Sequence, residues 1–288
     1  MSFRWPDIGA LAFCACLVWP FSAAGLELTW VGASTTEMEN PHDIKLTPDG
    51  RYLLVSDVGN GRVLMLDPQS LDKLGEFGAG EQSGTHDIDF DAEGRVYVAD
   101  THNNRVLIYT LNDTEAMLVG QLDEGIRGPE GVLAHPHGRI YVAGAWSHNV
   151  IAYENGVDVL ELKGVRSPHD LELAANGDIW LADSGNSRLL LLSPDFEVKR
   201  KLTREDYDFN GVRYLDLTAD GMIIAADKNN HVVKFIDAGG RLVATLGDGR
   251  PGLGPNRFTT PEGVEIHGTT LWLADSGNDR IVKYRMVP

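Results

Sequence analysis

The chain has 288 residues, 43% of them hydrophobic, with 25 basic against 42 acidic side chains and a net charge of −17 at pH 7. That apolar content excludes a disordered chain and suffices for a sizeable core, while the sign of the charge argues against nucleic acid or anionic lipid as partners. Both cysteines, Cys14 and Cys16, lie near the N-terminus, so the body of the protein is expected to hold neither a disulfide nor a thiolate site.

The chain opens with an early Arg4, an apolar run from Ile8 to Phe21, and the small residues Ser22, Ala23, Ala24 and Gly25. This is the layout of a secretory signal peptide. Cleavage is expected near Ala24, making residues 1–24 a leader and 25–288 a single domain. The mature protein is expected to be secreted or periplasmic, monomeric, and unattached to a membrane.

The strand at 26–32, "LELTWVG", is followed by a repeat. Six segments begin at Pro41, Thr85, Pro129, Pro168, Val212 and Pro261. Their second residues, at 42, 86, 130, 169, 213 and 262, are 44, 44, 39, 44 and 49 apart. Each unit reads as an alternating run such as "DIKL", a turn such as "TPDG", a second run such as "YLLVSD", a turn such as "VGNG", and a third run such as "RVLML". Fourth runs such as "DKLGEF" and "VDVLEL" follow in most units. Four short antiparallel strands make one propeller blade, so the pattern predicts an all-β, six-bladed β-propeller. The last unit, ending "IVKYRMVP", lacks its fourth strand, and the run at 26–32 has the pattern to supply it. Such closure hides sheet edges.

The runs "GDGRPGLGPNRFTTPEGV", "VYVADTHNNRVLIY" and "LWLADSGNDRIVKY" resemble NHL repeats. The resemblance covers residues 26–288 and implies the six-bladed NHL propeller. It leaves function open, because NHL propellers include binding scaffolds, RNA binders and enzymes.

Chain direction puts the start of each inner strand and the second turn of each blade on one face. The residues Asp57, Asn60 and Arg62, with their counterparts in the repeats, suit turn and inter-blade bonding. Blade three departs, reading "AGAWSHNV", and brings Trp146 as a candidate wall of a pocket. His102, His148 and His231 fall in second turns and are expected to be solvated. The second residues of the units should ring the channel mouth, in the order His42, His86, Glu130, His169, Arg213 and Glu262.

Three imidazoles and two carboxylates at one mouth could hold a divalent cation, zinc through His and carboxylate or calcium with added carbonyls. Asp43, Asp87 and Asp170 could orient those imidazoles or ligate directly. The sequence shows no phosphate-binding glycine loop, H-E-x-x-H, or G-x-S-x-G, and no organic cofactor is indicated.

Two kinds of function follow. The first is a binding module that takes a peptide, protein or small ligand at the mouth, with Glu130, Arg213, Glu262 and Trp146 as contacts. The second is a metal-dependent enzyme. "PHDI" and "PHDL" resemble the segments with which NHL-type peptidyl-hydroxyglycine amidating lyases ligate metal, which implies His42, His86 and His169 as ligands. On that reading Arg213 holds a substrate carboxylate and Tyr214 serves as acid or base. A lactonase or hydrolase using the same mouth is the further alternative.

Overall fold

The computed structural model describes residues 21–23 and 26–287. Most of the leader expected at 1–24 therefore lies outside the described residues. Among the described residues no helix is long and apolar enough to cross a membrane.

Six antiparallel sheets are arranged in a ring, five of four strands and one of five. The inner strands of blades one to three are Pro41–Leu46, Thr85–Phe90 and Pro129–Ala134, and those of blades four to six are Leu171–Leu173, Val212–Leu217 and Val264–His267. The expected closure is present: Leu26–Ala33 pairs antiparallel with the last strand, Arg280–Val287, matching Trp30 to Tyr284 and Glu27 to Val287. A short strand, Phe21–Ala23, adds to the outside of that sheet.

Alternation along the second and third strands builds the core, because successive side chains point to opposite faces. In blade one, Leu53, Val55, Leu64 and Leu66 pack against Trp272, Ala274 and Ile281 of blade six. Their neighbours Leu54, Val63 and Met65 pack against Ile88, Val96, Val98 and Leu107 of blade two. Four further clusters fill the remaining junctions between blades. Both faces of each sheet are thus buried, which is why these strands read as nearly continuous apolar runs.

In every blade but the third, the second turn is a single turn of 3-10 helix that follows a buried aspartate. Asp57 accepts the Glu39 amide at 2.7 Å and the Arg62 Nε at 2.7 Å. Asp100, Asp183 and Asp275 repeat the arrangement with Arg105, Arg188 and Arg280. Blade five also has it, with Lys234 in the arginine's place at 2.6 Å from Asp227.

His148, exposed as expected, and the half-buried His231 also stitch blades together. Each sits in the left-handed conformation that ends its turn. From there the Nδ1 of His148 accepts the Ser167 amide, and that of His231 accepts the Thr260 amide, both at 3.0 Å. Asn104, Ser187 and Asp279 hold the same position and accept the amides of Gly128, Gly211 and Asn40.

Candidate functional site at the channel mouth

Four of the inner strands break register with the second strand near their start, between Pro41 and Ile44 in blade one and between Thr85 and Ile88 in blade two. Blades three and five break similarly. These irregularities turn the first side chains of the strands toward the axis.

The expected ring assembles as two carboxylate nests joined by one arginine. Glu130 Oε2 meets His169 Nε2, lies 4.0 Å from His86 Nε2, and takes the Arg213 Nη1 at 3.4 Å. Glu262 Oε1 meets Lys228 Nζ and lies 3.5 Å from His42 Nε2, while its Oε2 is 4.0 Å from Arg213 Nε. The His42 and His86 rings touch edge to face, with centroids 4.5 Å apart.

Hydrogen bonds assign the tautomers. His86 Nδ1 donates to the Gly84 carbonyl at 2.8 Å and lies 2.8 Å from Thr101 Oγ1, whose own proton goes to the Pro129 carbonyl. The ring proton is therefore on Nδ1, and the Nε2 lone pair faces the mouth. His169 is fixed likewise by the Ser167 carbonyl at 2.8 Å. Its Nε2 is set against Glu130 Oε2.

Burial dominates the histidines and lowers their basicity. It takes His42 to about 3, against the partial support of Glu262. His86 is lowered for the same reason, against the pull of Glu130. For the glutamates burial acts upward but loses. His42, Arg213 and Lys228 together hold Glu262 down at about 2, and His169, His86 and Arg213 hold Glu130 well below the usual carboxylate range. With both imidazoles neutral at pH 7, the permanent charges of Arg213 and Lys228 carry this effect for Glu262. Both carboxylates are ionised.

Lys228 was not foreseen in the ring. It occupies the turn position at which Thr101, Ser184 and Ser276 send hydroxyl protons to the carbonyls of Pro129, Val212 and Pro41. A lysine in a column of hydroxyl residues was the available signal.

Tyr214 lies beneath the ring. It is buried, its hydroxyl reaches the Glu130 carbonyl at 3.3 Å, and its ring centroid is 6.4 Å from that of His42. Burial, with Asp87 and Glu130 nearby, pushes its pKa well above the ordinary phenol value. A buried hydroxyl held against a backbone carbonyl is a poor setting for a phenolate base.

Asp43, Asp87 and Asp170 do not orient the imidazoles. Asp43 accepts the Ile88 amide at 3.1 Å, Asp87 the Val132 amide at 2.6 Å, and Asp170 the Leu215 amide at 2.6 Å, so each ties its blade to the next. Two residues further along the strands, Lys45 stands 2.5 Å from Glu172 and 3.9 Å from Asp89, with Asp216 and Glu265 acting on it electrostatically.

Among the described residues no group of three or more His, Cys, Asp or Glu side chains is gathered at metal-holding distances. His169 Nε2 is set against Glu130, and the Asn40 amide stands 3.1 Å from His42 Nε2. In this arrangement those nitrogens face neighbouring side chains. A cleft of about 400 Å³ lined by Trp30, Leu253 and Tyr284 lies at the outer strands of blades five and six, and no ring residue lines it.

A family described as seven-bladed β-propeller lactonases matches residues 25–118, less than half of this six-bladed chain. No curated protein matches at a significant level. A catalytically inactive virginiamycin B lyase from Staphylococcus aureus, solved with quinupristin, is similar at 13% identity and a TM-score of 0.65, over 90% of this chain and 99% of that one. A streptogramin B lyase structure gives 12% and 0.64 over 91% and 87%. A structural-genomics protein of unknown function from Bacteroides thetaiotaomicron gives 17% and 0.70 over 88% and 71%. At such identities the likeness establishes the β-propeller fold and leaves function to the site.

Proposed function

We propose that the protein is an exported binding module that captures the anionic end of a small ligand or peptide at this mouth. One observation carries the reading. Arg213 spans the axis between Glu130 and Glu262 with only the 3.4 Å and 4.0 Å contacts, and with about a quarter of its side chain exposed. Such a guanidinium keeps donors that a carboxylate can take in bidentate fashion. Lys228, 23% exposed, adds a second cation on the same side. The two buried glutamates balance these charges, so the pair of cations persists in a molecule of net charge −17.

A short N-acetylated alanine peptide with a free C-terminal carboxylate tests this against the same peptide amidated. The free acid is expected to bind better, and Arg213→Ala to lower its affinity about 10- to 100-fold, the weight of a charged hydrogen bond. Equal binding of both peptides, or an unaffected Arg213→Ala, overturns the reading. Near-stoichiometric zinc or calcium in the same preparation, lost in His86→Ala, would replace it with a metal centre.

The enzyme reading is favoured by one feature, the His86 imidazole. Neutral, oriented, and with Nε2 turned to the mouth, it is arranged as a proton acceptor close to Arg213. A lyase or lactonase built here would lose turnover in His86→Ala while keeping ligand affinity.

A further inference from the structure

Blade three closes its second turn without the ion pair used by its neighbours. In the other five blades a buried aspartate accepts the backbone amide of the incoming loop at 2.7 Å. In blade three Ser147 Oγ takes that part, accepting the Arg127 amide at 3.1 Å and donating to Asn149 Oδ1 at 2.6 Å. Asn149 in turn donates to Glu161 at 2.8 Å. The turn is complete without the adjacent Trp146, which is 47% exposed.

A single exposed aromatic side chain is ordinary on a protein surface. This one is held in place. Its indole lies so close over Gly128 that a Cβ there would run into it. It also stacks on His102, with centroids 5.8 Å apart and planes 19° from parallel. Both supports border the ring. Gly128 precedes Glu130 by two residues, and His102 follows Thr101, whose hydroxyl lies against His86 Nδ1. The exposed part of a pre-positioned indole is therefore carried by the same two segments that position His86 and Glu130.

We propose that Trp146, backed by His102, is a stacking shelf that selects ligands carrying a planar aromatic ring next to the anionic group held by Arg213. The proposal rests on the anion-capture reading and names its ligand class, an aromatic carboxylate or a peptide ending in an aromatic residue. A flat ring gains contact area on a rigid indole at little conformational cost, whereas an aliphatic chain gains only dispersion.

NMR or calorimetric titration with acetate and phenylacetate separates the two ideas. The native protein is expected to bind phenylacetate about 3- to 10-fold more tightly than acetate, the range for one aromatic pair. Trp146→Ala should erase that preference, and Trp146→Phe should restore most of it. Equal affinity for both probes, with acetate binding still lost in Arg213→Ala, sinks the shelf and leaves anion capture standing. A preference that survives Trp146→Ala also sinks it. Failure of both probes to bind removes anion capture, and the shelf with it.

Discussion

The difference between "PHD" and "PEG" at the openings of the units is decided by one atom. Asp43, Asp87 and Asp170 reach the next blade through a side chain, whereas Gly131 and Gly263 let the next blade's backbone come to them. A Cβ at Gly131 would overlap the His169 carbonyl oxygen, and one at Gly263 would overlap the His42 carbonyl, which the Gly263 amide meets at 2.9 Å. Neither glycine has a positive φ, so the requirement is for space. Gly131→Ala and Gly263→Ala are each expected to cost about 3 kcal/mol or more, because the obstacle is backbone and cannot rotate away. Gly32→Ala, with nothing within 4 Å, is the matched control and should be nearly neutral. Equal melting temperatures for all three would show that the blades can move apart. The repeat made the glycines visible as departures, but their neighbours, 38 or more residues away in sequence, are set only by ring closure.

The second turn shows how one element is held by different chemistry in different blades. Asp275 is fully buried and accepts Thr259, Asn278 and Arg280 at 2.7, 2.7 and 2.8 Å. Removing it takes the acceptor from the Arg280 Nε and the Thr259 amide, and Asp275→Ala is expected to destabilise by about 3 to 5 kcal/mol. Ser147→Ala in blade three removes a neutral strap worth about 1 kcal/mol. Denaturant unfolding of the two variants measures the difference, and equal losses would mean that the ion pairs add nothing beyond the strap. The sequence identified four of the five ionic turns by their Asp-x-x-Asn-x-Arg spacing. It missed blade five because Lys234 lies seven residues from Asp227, on the next strand, where only the folded hairpin brings it back.

Across the whole molecule the channel carries an opposed set of titrations. Burial leads in every case. It raises Asp216 to about 7 and Asp43 and Asp89 to about 6, and it takes Asp87, Asp170 and Glu265 well above the ordinary range. A carboxyl whose pKa is raised on folding contributes stability that is present at low pH and lost as pH rises toward the folded value. His42 and His86, lowered by burial, act in the opposite sense, but only below the unfolded histidine value near 6.5. The depressed Glu130 and Glu262 weaken the fold only below about 4.5. From pH 6 to pH 8 the carboxyls therefore dominate, and the melting temperature at constant salt is expected to fall by roughly 5 °C. Asp216→Asn should reduce that fall. A melting temperature that rises over this interval would show that these acids stay ionised in the folded protein.

Repeat spacing and strand alternation determined the architecture, because each is local and recurs six times: the blade, the closure by residues 26–32, and the six polar residues at one mouth all follow from period alone. The same symmetry argument brought His42, His86 and His169 to one opening, where the first two rings touch and the last two share Glu130. What period could not decide was how those side chains use their hydrogen-bonding groups once together. Whether Glu130 faces His169 or a cation, whether Tyr214 works or is merely buried, and that Lys228 joins the ring depend on distances between blades. Those distances are set by close packing around a closed ring, in which a shift of one ångström exchanges one partner for another.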